Sequence, residues 1–325
     1  MQIRKWLRRA TGPLLVGVMF VFAPLARAET VTIGLVGTAS ATHWPIYAGL
    51  KQGYYAAADI KLDMVFTPSS AALLQQLSVG ALDACLSTGI VDPIYAIDKG
   101  APIAIVRLEM QSPPYALMAK PAIKSIKELK GKTTMIDGPK GITKIYVERM
   151  LAANGVKPDE FDALFAGATA ARFSALQSGA VDATVLIPPF NFFAETAGFT
   201  NLGLTIDYTP ELPFSGAVVN KNWAATHRTT LDKLLSVHNR SMAWFLNPRN
   251  RDAAIAVMVE ASKQKAEDIA KAYDFLQKHK FFDGTGKVSR AKMNAMLAAL
   301  RELGDVSASL TVDRLLLPGV TQVAD

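Results

Sequence analysis

The side chains of this sequence that could bind a small molecule occur mainly in short loops between a hydrophobic run and a helical pattern. They include hydroxyls, an imidazole beside an indole, carboxyls, a lysine, a phenylalanine and an amide. A loop that precedes a helix also presents free backbone N–H groups and a partial positive charge. These residues therefore favour reversible ligand binding. The candidate ligand contacts are Thr42, His43, Trp44, Ser69, Ser70, Thr88, Asp92, Ser112, Asp137, Lys140, Thr143, Phe190 and Asn191.

Several of these side chains also have ordinary structural roles. Trp44 can stack on a flat ligand or lie half-buried in the core. His43 can bond an anion or cap the helix that follows it. The hydroxyls of Ser69, Ser70 and Thr143 can act as helix N-caps, which is the commoner role at such positions.

The remaining candidates indicate the kind of ligand. An acid at Asp92 suits a ligand with an N–H group or a cationic nitrogen. Phe190 offers an apolar wall, and Lys140 can pair with a carboxylate or sulfonate, although a loop lysine is usually solvated. Aromatic side chains, few cations and the acid at Asp92 predict a small organic ligand, aromatic or heterocyclic.

Motifs for catalysis, metals and cofactors fail on spacing. The run GKTT at residues 131–134 resembles a phosphate-binding loop, but the glycine required five residues upstream is Ile126. The four histidines have no metal-ligand spacing, and one cysteine cannot build a zinc site. Cys85 lies in an apolar run and is expected to be a core residue. We therefore expect no catalytic residue, no metal and no cofactor.

The charge of the chain reflects its N-terminus. Five of the 35 Lys and Arg residues and none of the 28 Asp and Glu residues lie in residues 1–28, which leaves +2 on the remainder. No basic patch typical of nucleic-acid binders remains. Residues 1–28 have a positive start, an apolar stretch and an Ala-x-Ala end, which predict a signal peptide cleaved after Ala28.

The elements that position the candidate residues form two similar series. From residue 30 to 108 and again from 132 to 206, buried strands alternate with helical patterns in the order βαβαβαβ. This alternation predicts parallel βαβ units. LSVGALDA at residues 77–84 returns as LQSGAVDA at residues 176–183, which indicates an internal repeat. After a strand at 214–220 the chain is almost wholly helical, and we expect this tail to pack mainly on the first series.

Six motifs in fixed order carry a family resemblance. They are WPIYA and KQGYY within residues 44–55, GALDA at 80–84, IKELKG at 126–131, GATAAR at 167–172 and GAVDA at 179–183. With them the chain resembles the ABC-transporter periplasmic solute-binding proteins of the nitrate, sulfonate, taurine and thiamine-precursor group. The similarity extends from about residue 30 into the helical tail.

The resemblance implies a type II periplasmic-binding fold, an α/β architecture of two lobes with mostly parallel sheets and a helical C-terminal tail. Lobe 1 would comprise residues 29–116 and 217–325, and lobe 2 residues 117–216. The crossovers would fall near residues 115–120 and 214–220. A ligand would lie between the lobes at the carboxyl ends of the strands, among the candidate contacts.

The function expected from this resemblance is the periplasmic substrate-binding component of an ABC importer. It would capture a sulfonate, an aromatic acid or a pyrimidine-like solute, and its partner would be an inner-membrane ABC permease. We expect a monomer and no enzyme activity. Two alternatives stay open: a periplasmic ligand-sensing subunit, and an enzyme on the same fold that resembles thiamine-pyrimidine synthases.

Overall fold

The computed structural model describes residues 28–38 and 40–324. The predicted signal peptide lies outside the described residues up to residue 27, so its cleavage stays a prediction. Within the described ranges, no helix has both the length and the apolar character needed to cross a bilayer.

The strands and helices closely follow the hydrophobic pattern of the sequence. The strands are β1 Glu29–Val36, β2 Ile60–Thr67, β3 Ala84–Gly89, β4 Ile103–Met110, β5 Ala116–Ala119, β6 Thr133–Ile136, β7 Asp162–Phe165, β8 Ala183–Leu186, β9 Thr200–Leu204, β10 Ser215–Asn220, β11 Val288–Ser289 and β12 Val323–Ala324. The α-helices are α1 Trp44–Lys51, α2 Ser70–Ser78, α3 Val91–Asp98, α4 Ile142–Ala153, α5 Thr169–Gln177, α6 Phe190–Thr196, α7 Lys221–Thr226, α8 Arg228–Leu246, α9 Arg251–Ser262, α10 Ala266–Lys278, α11 Arg290–Glu302 and α12 Val312–Leu315.

Two five-stranded sheets share one topology. The first has the order β2-β1-β3-β10-β4 and the second the order β7-β6-β8-β5-β9. In each sheet one strand runs antiparallel to its two neighbours, β10 in the first and β5 in the second, and the other four strands share one direction. The predicted α/β fold with two mostly parallel sheets and a helical C-terminal region is confirmed.

The repeated Gly-Ala-x-Asp-Ala motif makes the same turn in both sheets. Gly80 and Gly179 end their helices with φ of 79° and 76°, values that favour glycine. Three residues later, the Asp83 carboxylate accepts the Thr32 N–H at 2.8 Å, and the Asp182 carboxylate accepts the Thr133 N–H at 3.0 Å. The aspartate of each motif therefore fixes the start of one strand to the neighbouring strand.

The two segments that the resemblance implies as crossovers, near residues 115–120 and 214–220, are strands of the sheets; the strand at 214–220 was predicted, whereas the strand at 116–119 was not. Residues 116–119 form β5 of the second sheet and residues 215–220 form β10 of the first, and both strands are fully buried. Both segments are apolar, and burial between two other strands satisfies their backbone groups as well. The chain instead passes between the sheets in the segments 111–115 and 205–214.

The helical tail packs mainly on the first half, as expected, and it also contacts the second half through α10. Helix α8 packs along α1, and α12 packs against α3. On the other side, the rings of Phe275 in α10 and Phe192 in α6 lie 5.5 Å apart, and Thr196 donates to Asp268 at 2.9 Å. The tail thereby contacts both halves of the molecule.

Candidate functional site

A cavity of about 60 Å³ lies where the carboxyl ends of the parallel strands of the two sheets face each other. This is the edge at which open α/β sheets bind ligands. The cavity is lined by Val36, Gly37, Thr38, Ser40, Thr42, Ser70, Ser87, Thr88, Gly89, Tyr115, Asp137, Ile142, Gly167, Ala168, Thr169, Ala170, Ile187, Phe190 and Phe214.

The wall from the first sheet is rich in hydroxyls. Ser40 and Thr42 lie 2.9 Å apart, Oγ to Oγ1, at a short 3-10 helix before α1. Thr88 at the end of β3 donates to the Ser70 hydroxyl at 3.1 Å. Ser69 caps α2 by accepting the Ala72 N–H at 3.2 Å. Hydroxyls both donate and accept, so this wall can bind either kind of polar group on a solute.

The wall from the second sheet is shaped by a buried arginine. Arg172 in α5 donates to the carbonyls of Ala166, Gly167 and Val185 at 2.6 to 3.0 Å, and to the Thr169 hydroxyl at 2.9 Å. These bonds hold the loop before α5 in place. Because the first N–H groups of a helix lack partners within the helix, the start of α5 presents donors to the cavity.

Asp137 is the acid that lines this inner cavity. Its carboxylate accepts the Thr143 hydroxyl proton at 2.6 Å, and its backbone N–H donates to the same hydroxyl at 2.8 Å. Burial raises the pKa of Asp137, although the charge of Arg172 and the bonds from Thr143 act in the opposite direction. Asp137 thus brings a carboxyl group to the cavity.

A second cavity of about 340 Å³ shares Ser70, Asp137 and Gly167 with the first. Asp92, in the first turn of α3, lines it. Burial, and next the negative charge of Asp137, raise the pKa of Asp92 to about 7. This outer cavity therefore forms an acidic continuation of the inner one.

Aromatic rings close the inner cavity on the crossover side. Tyr115 and Phe214, which come from the two segments that pass between the sheets, form an edge-to-face pair at 5.1 Å. Phe190 packs against Phe173 with ring centroids 6.0 Å apart. The cavity therefore combines an apolar end with polar walls, the combination typical of small-molecule sites.

The two strand-end faces touch around the cavity. The Ala41 N–H donates to the Pro188 carbonyl at 3.0 Å. A Cβ on Gly167 would lie 2.4 Å from the Cβ of Ser69, so only glycine permits this approach. Lys140 and Asp305 form an ion pair between the loop after β6 and the helical tail. These contacts describe a closed arrangement of the two halves.

The structure brings eight of the thirteen predicted contacts to the two cavities. Those in the inner cavity are Thr42, Ser70, Thr88, Asp137 and Phe190. Ser69, Asp92 and Lys140 line the outer cavity. The five that line neither cavity are His43, Trp44, Ser112, Thr143 and Asn191.

All five side chains are buried. Trp44 is 1% exposed and packs edge-to-face on Phe245 at 6.3 Å, so the core role is the correct one. His43 is fully buried, makes no cap hydrogen bond, and burial lowers its pKa to about 3. Thr143 binds Asp137 instead of lining the cavity. Ser112 and Asn191 are at most 9% exposed.

Sequence reasoning missed Arg172, Ser40, Ser87 and Phe214. Arg172 follows the helix start at Thr169 by three residues, which places it one turn into α5 above the loop. An arginine on the buried face of a short helix was the available signal, because such a cation requires buried acceptors. Ser40, Ser87 and Phe214 carried no signal, since hydroxyls and aromatics at strand ends are common.

The family follows from a match across most of the chain. The sequence model described as NMT1/THI5 like matches residues 40–251. The chain belongs to the NMT1/THI5-like family. No curated protein has a significant sequence match to it. The family resemblance expected from the sequence motifs is confirmed.

Solved structures share the fold of this NMT1/THI5-like chain. The alkanesulfonate-binding protein SsuA from Xanthomonas axonopodis pv. citri is 17% identical, with a TM-score of 0.72 and coverage of 92% of this chain and 100% of that one. The ligand-binding component of an ABC-type import system from Staphylococcus aureus is 15% identical, with a TM-score of 0.75 and coverage of 90% and 97%. The periplasmic nitrate-binding protein NrtA from Synechocystis PCC 6803 is 16% identical, with a TM-score of 0.70 and coverage of 89% and 84%.

Proposed function

We propose that this protein is the substrate-binding component of an ABC importer and captures a small organic solute between its two halves. The observation that carries the proposal is the cavity at the facing strand ends of two sheets with the same topology. Hydroxyls, helix-start N–H groups, a carboxyl and aromatic rings converge there from both sheets. Such convergence suits reversible capture of a solute by closure of two lobes.

The two lobes of the proposal follow the sheets. The bounds expected from the sequence are residues 29–116 and 217–325 for lobe 1 and residues 117–216 for lobe 2, and we propose to move each boundary to the nearest segment that passes between the sheets. Ala116 pairs with Leu186 in the second sheet and Ser215 pairs with Gly89 in the first, so the crossing segments 111–115 and 205–214 are the better boundaries. Movement about these two segments would open the cavity.

The place of the protein in the cell is part of the proposal. Residues 1–28 would direct export to the periplasm, and the closed monomer would dock on an inner-membrane ABC permease. Structural neighbours support this reading, because one is the ligand-binding component of an ABC-type import system and another is a periplasmic nitrate-binding protein.

An enzyme on this fold is the weaker alternative. The thiolate is the nucleophilic form of cysteine. Cys85 is fully buried in β3, and burial raises the pKa of its thiol to about 12, so it stays protonated. Cys85 therefore fits the core role that its apolar surroundings predict.

The test of solute capture begins with native mass spectrometry of the protein purified from its host. We expect one small organic molecule per chain, and we expect X-ray scattering to show a smaller radius of gyration when that molecule is present. Thr88→Ala should weaken solute binding, because Thr88 lines the cavity. The matched control Thr226→Ala, on the exposed end of α7, should leave binding unchanged. Absence of any bound solute and of any compaction would contradict the proposal, and turnover of the solute would favour the enzyme.

A further inference from the structure

The outer cavity is lined by one carboxyl group from each of the two halves. Asp92 belongs to α3, which follows β3 of the first sheet, and Asp137 follows β6 of the second sheet. Both line the same space of about 340 Å³. Both acids are partly buried, and the negative charge of Asp137 raises the pKa of Asp92. Closure of the two halves therefore brings two partly buried acids to one cavity.

The cations around these two acids already have partners. Lys140, which lines the same cavity, pairs with Asp305, and Asp305 also accepts the Tyr95 hydroxyl proton at 3.1 Å. The positive charge of Arg172 lowers the pKa of Asp137, but burial outweighs it and the pKa is raised. The guanidinium itself already donates four hydrogen bonds, to three carbonyls and to the Thr169 hydroxyl. Among the described residues that line the two cavities, Lys140 is the one Lys or Arg side chain.

From this arrangement, and resting on the proposed function, we propose that the captured solute carries a positively charged nitrogen that lies between Asp92 and Asp137. Two like charges at short range oppose closure in a low-dielectric site. A cationic nitrogen between them reverses that effect, because it donates charge-assisted hydrogen bonds to both carboxylates. The rest of the solute would extend to the hydroxyls and rings of the inner cavity. The solute class is therefore a small organic amine, in contrast to the nitrate that one structural neighbour binds.

Matched probe pairs test the charge of the solute. Isothermal titration of the full mature chain would compare 2-aminoethanesulfonate with ethanesulfonate, β-alanine with propanoate, and benzylamine with benzyl alcohol. In at least one pair we expect the amine to bind about tenfold more tightly or better, the range of a charge-assisted hydrogen bond. Asp92→Asn and Asp137→Asn should each remove most of that preference. Asp159→Asn, an exposed acid of the second half, should leave it unchanged.

The outcomes separate this inference from the proposed function. Tighter binding of the members without an amine would overturn the inference and leave solute capture intact. Failure of every probe to bind, together with the absence of a co-purified solute, would overturn both.

A second measurement needs no ligand. The two carboxyls hold the ligand-free halves apart in this proposal, so the double variant Asp92→Asn with Asp137→Asn should be more compact in X-ray scattering than the ligand-free parent. Asn has nearly the same shape as Asp, and thermal unfolding checks that the variant folds. Equal radii of gyration for the parent and the double variant would overturn the inference.

Discussion

The two halves start corresponding helices in different ways. Helix α2 in the first half has the N-cap Ser69, whose hydroxyl accepts the Ala72 N–H at 3.2 Å. The residue 99 positions later is Ala168, which offers no side-chain cap to α5. Within the helices, the buried Leu73 of the first half corresponds to the buried Arg172 of the second. The second half thus stabilises its loop from inside the helix, with a guanidinium instead of a hydroxyl.

This difference has a consequence for binding. A serine cap satisfies one N–H group of its own helix. Arg172 instead fixes three carbonyl groups and the Thr169 hydroxyl, and it does so behind the cavity wall. The first half can therefore lose its cap with little change to the wall, whereas the second half depends on one side chain for the position of its loop.

The largest expected effect is that of Arg172→Met. The substitution leaves the carbonyls of Ala166, Gly167 and Val185 without the donor that satisfies them, and each unsatisfied buried group costs about 1–3 kcal/mol. We expect a loss of about 3 kcal/mol or more in the free energy of unfolding, measured by urea unfolding, together with weaker solute binding. Leu73→Met at the corresponding position should cost less than about 1.5 kcal/mol, because it nearly conserves volume. Equal losses would show that the two positions do not differ in role.

A smaller effect is expected at the paired aspartates of the repeat. The Lys120 ammonium binds Asp182 at 2.8 Å and, with Thr133, lowers the pKa of that carboxyl to about 2. Burial raises the pKa of Asp83. Asp182→Asn should therefore lower the unfolding free energy at neutral pH by about 1–2 kcal/mol, and Asp83→Asn by less.

The pH dependence of the unfolding free energy tests the direction of the pKa shift at each of the two aspartates. A lowered pKa in the folded state means that Asp182 stabilises the fold above the unfolded value of about 3.9, and this stability is lost as the pH falls toward 2. The difference between the parent and Asp182→Asn in urea unfolding should shrink over that range. For Asp83, whose pKa is raised, the linked stability is instead lost as the pH rises through its folded pKa. A constant difference from pH 7 to pH 2 would contradict this assignment.

The smallest effect concerns the cap itself. Ser69→Ala should cost about 1 kcal/mol, the usual value for loss of an N-cap, with little change in the shape of the cavity wall. Ala168→Ser provides the matched change in the second half and should gain a few tenths of a kcal/mol at most, because Arg172 already holds that loop. Thermal unfolding of both variants measures the two effects. A large gain from Ala168→Ser would show that Arg172 does not replace a cap.

The fold could be predicted well because its signals are local. The positions of β1, α4 and α8 follow from hydrophobic period and from glycine stops, and the Gly-Ala-x-Asp-Ala repeat marks equivalent turns. The resemblance implied crossovers near 115–120 and 214–220, and the sequence predicted a strand only in the second, because nothing local distinguishes a buried crossover from an inserted strand. Their pairing depends on partners more than 60 residues away in the case of β5 and β8.

The sequence predicted which loops form the site better than it predicted which side chains of those loops line the cavity. Ser70, Thr88 and Asp137 line the cavity, as the strand-end argument expects. His43 ends the short 3-10 helix before α1 and Trp44 begins α1, yet both side chains are buried and line neither cavity. Sequence spacing locates a residue on a loop, but which way its side chain points depends on the backbone angles and on the packing around it.

The sequence by itself determined the two-part α/β plan, the internal repeat, the strand-end loops and the family, because period, turn residues and motif order are local properties of the chain. The tertiary structure alone decided that β5 completes the second sheet, that β10 lies between β3 and β4, that Arg172 holds the wall and that Asp92 and Asp137 line one cavity. Those facts join residues of separate segments, and only packing brings such segments together.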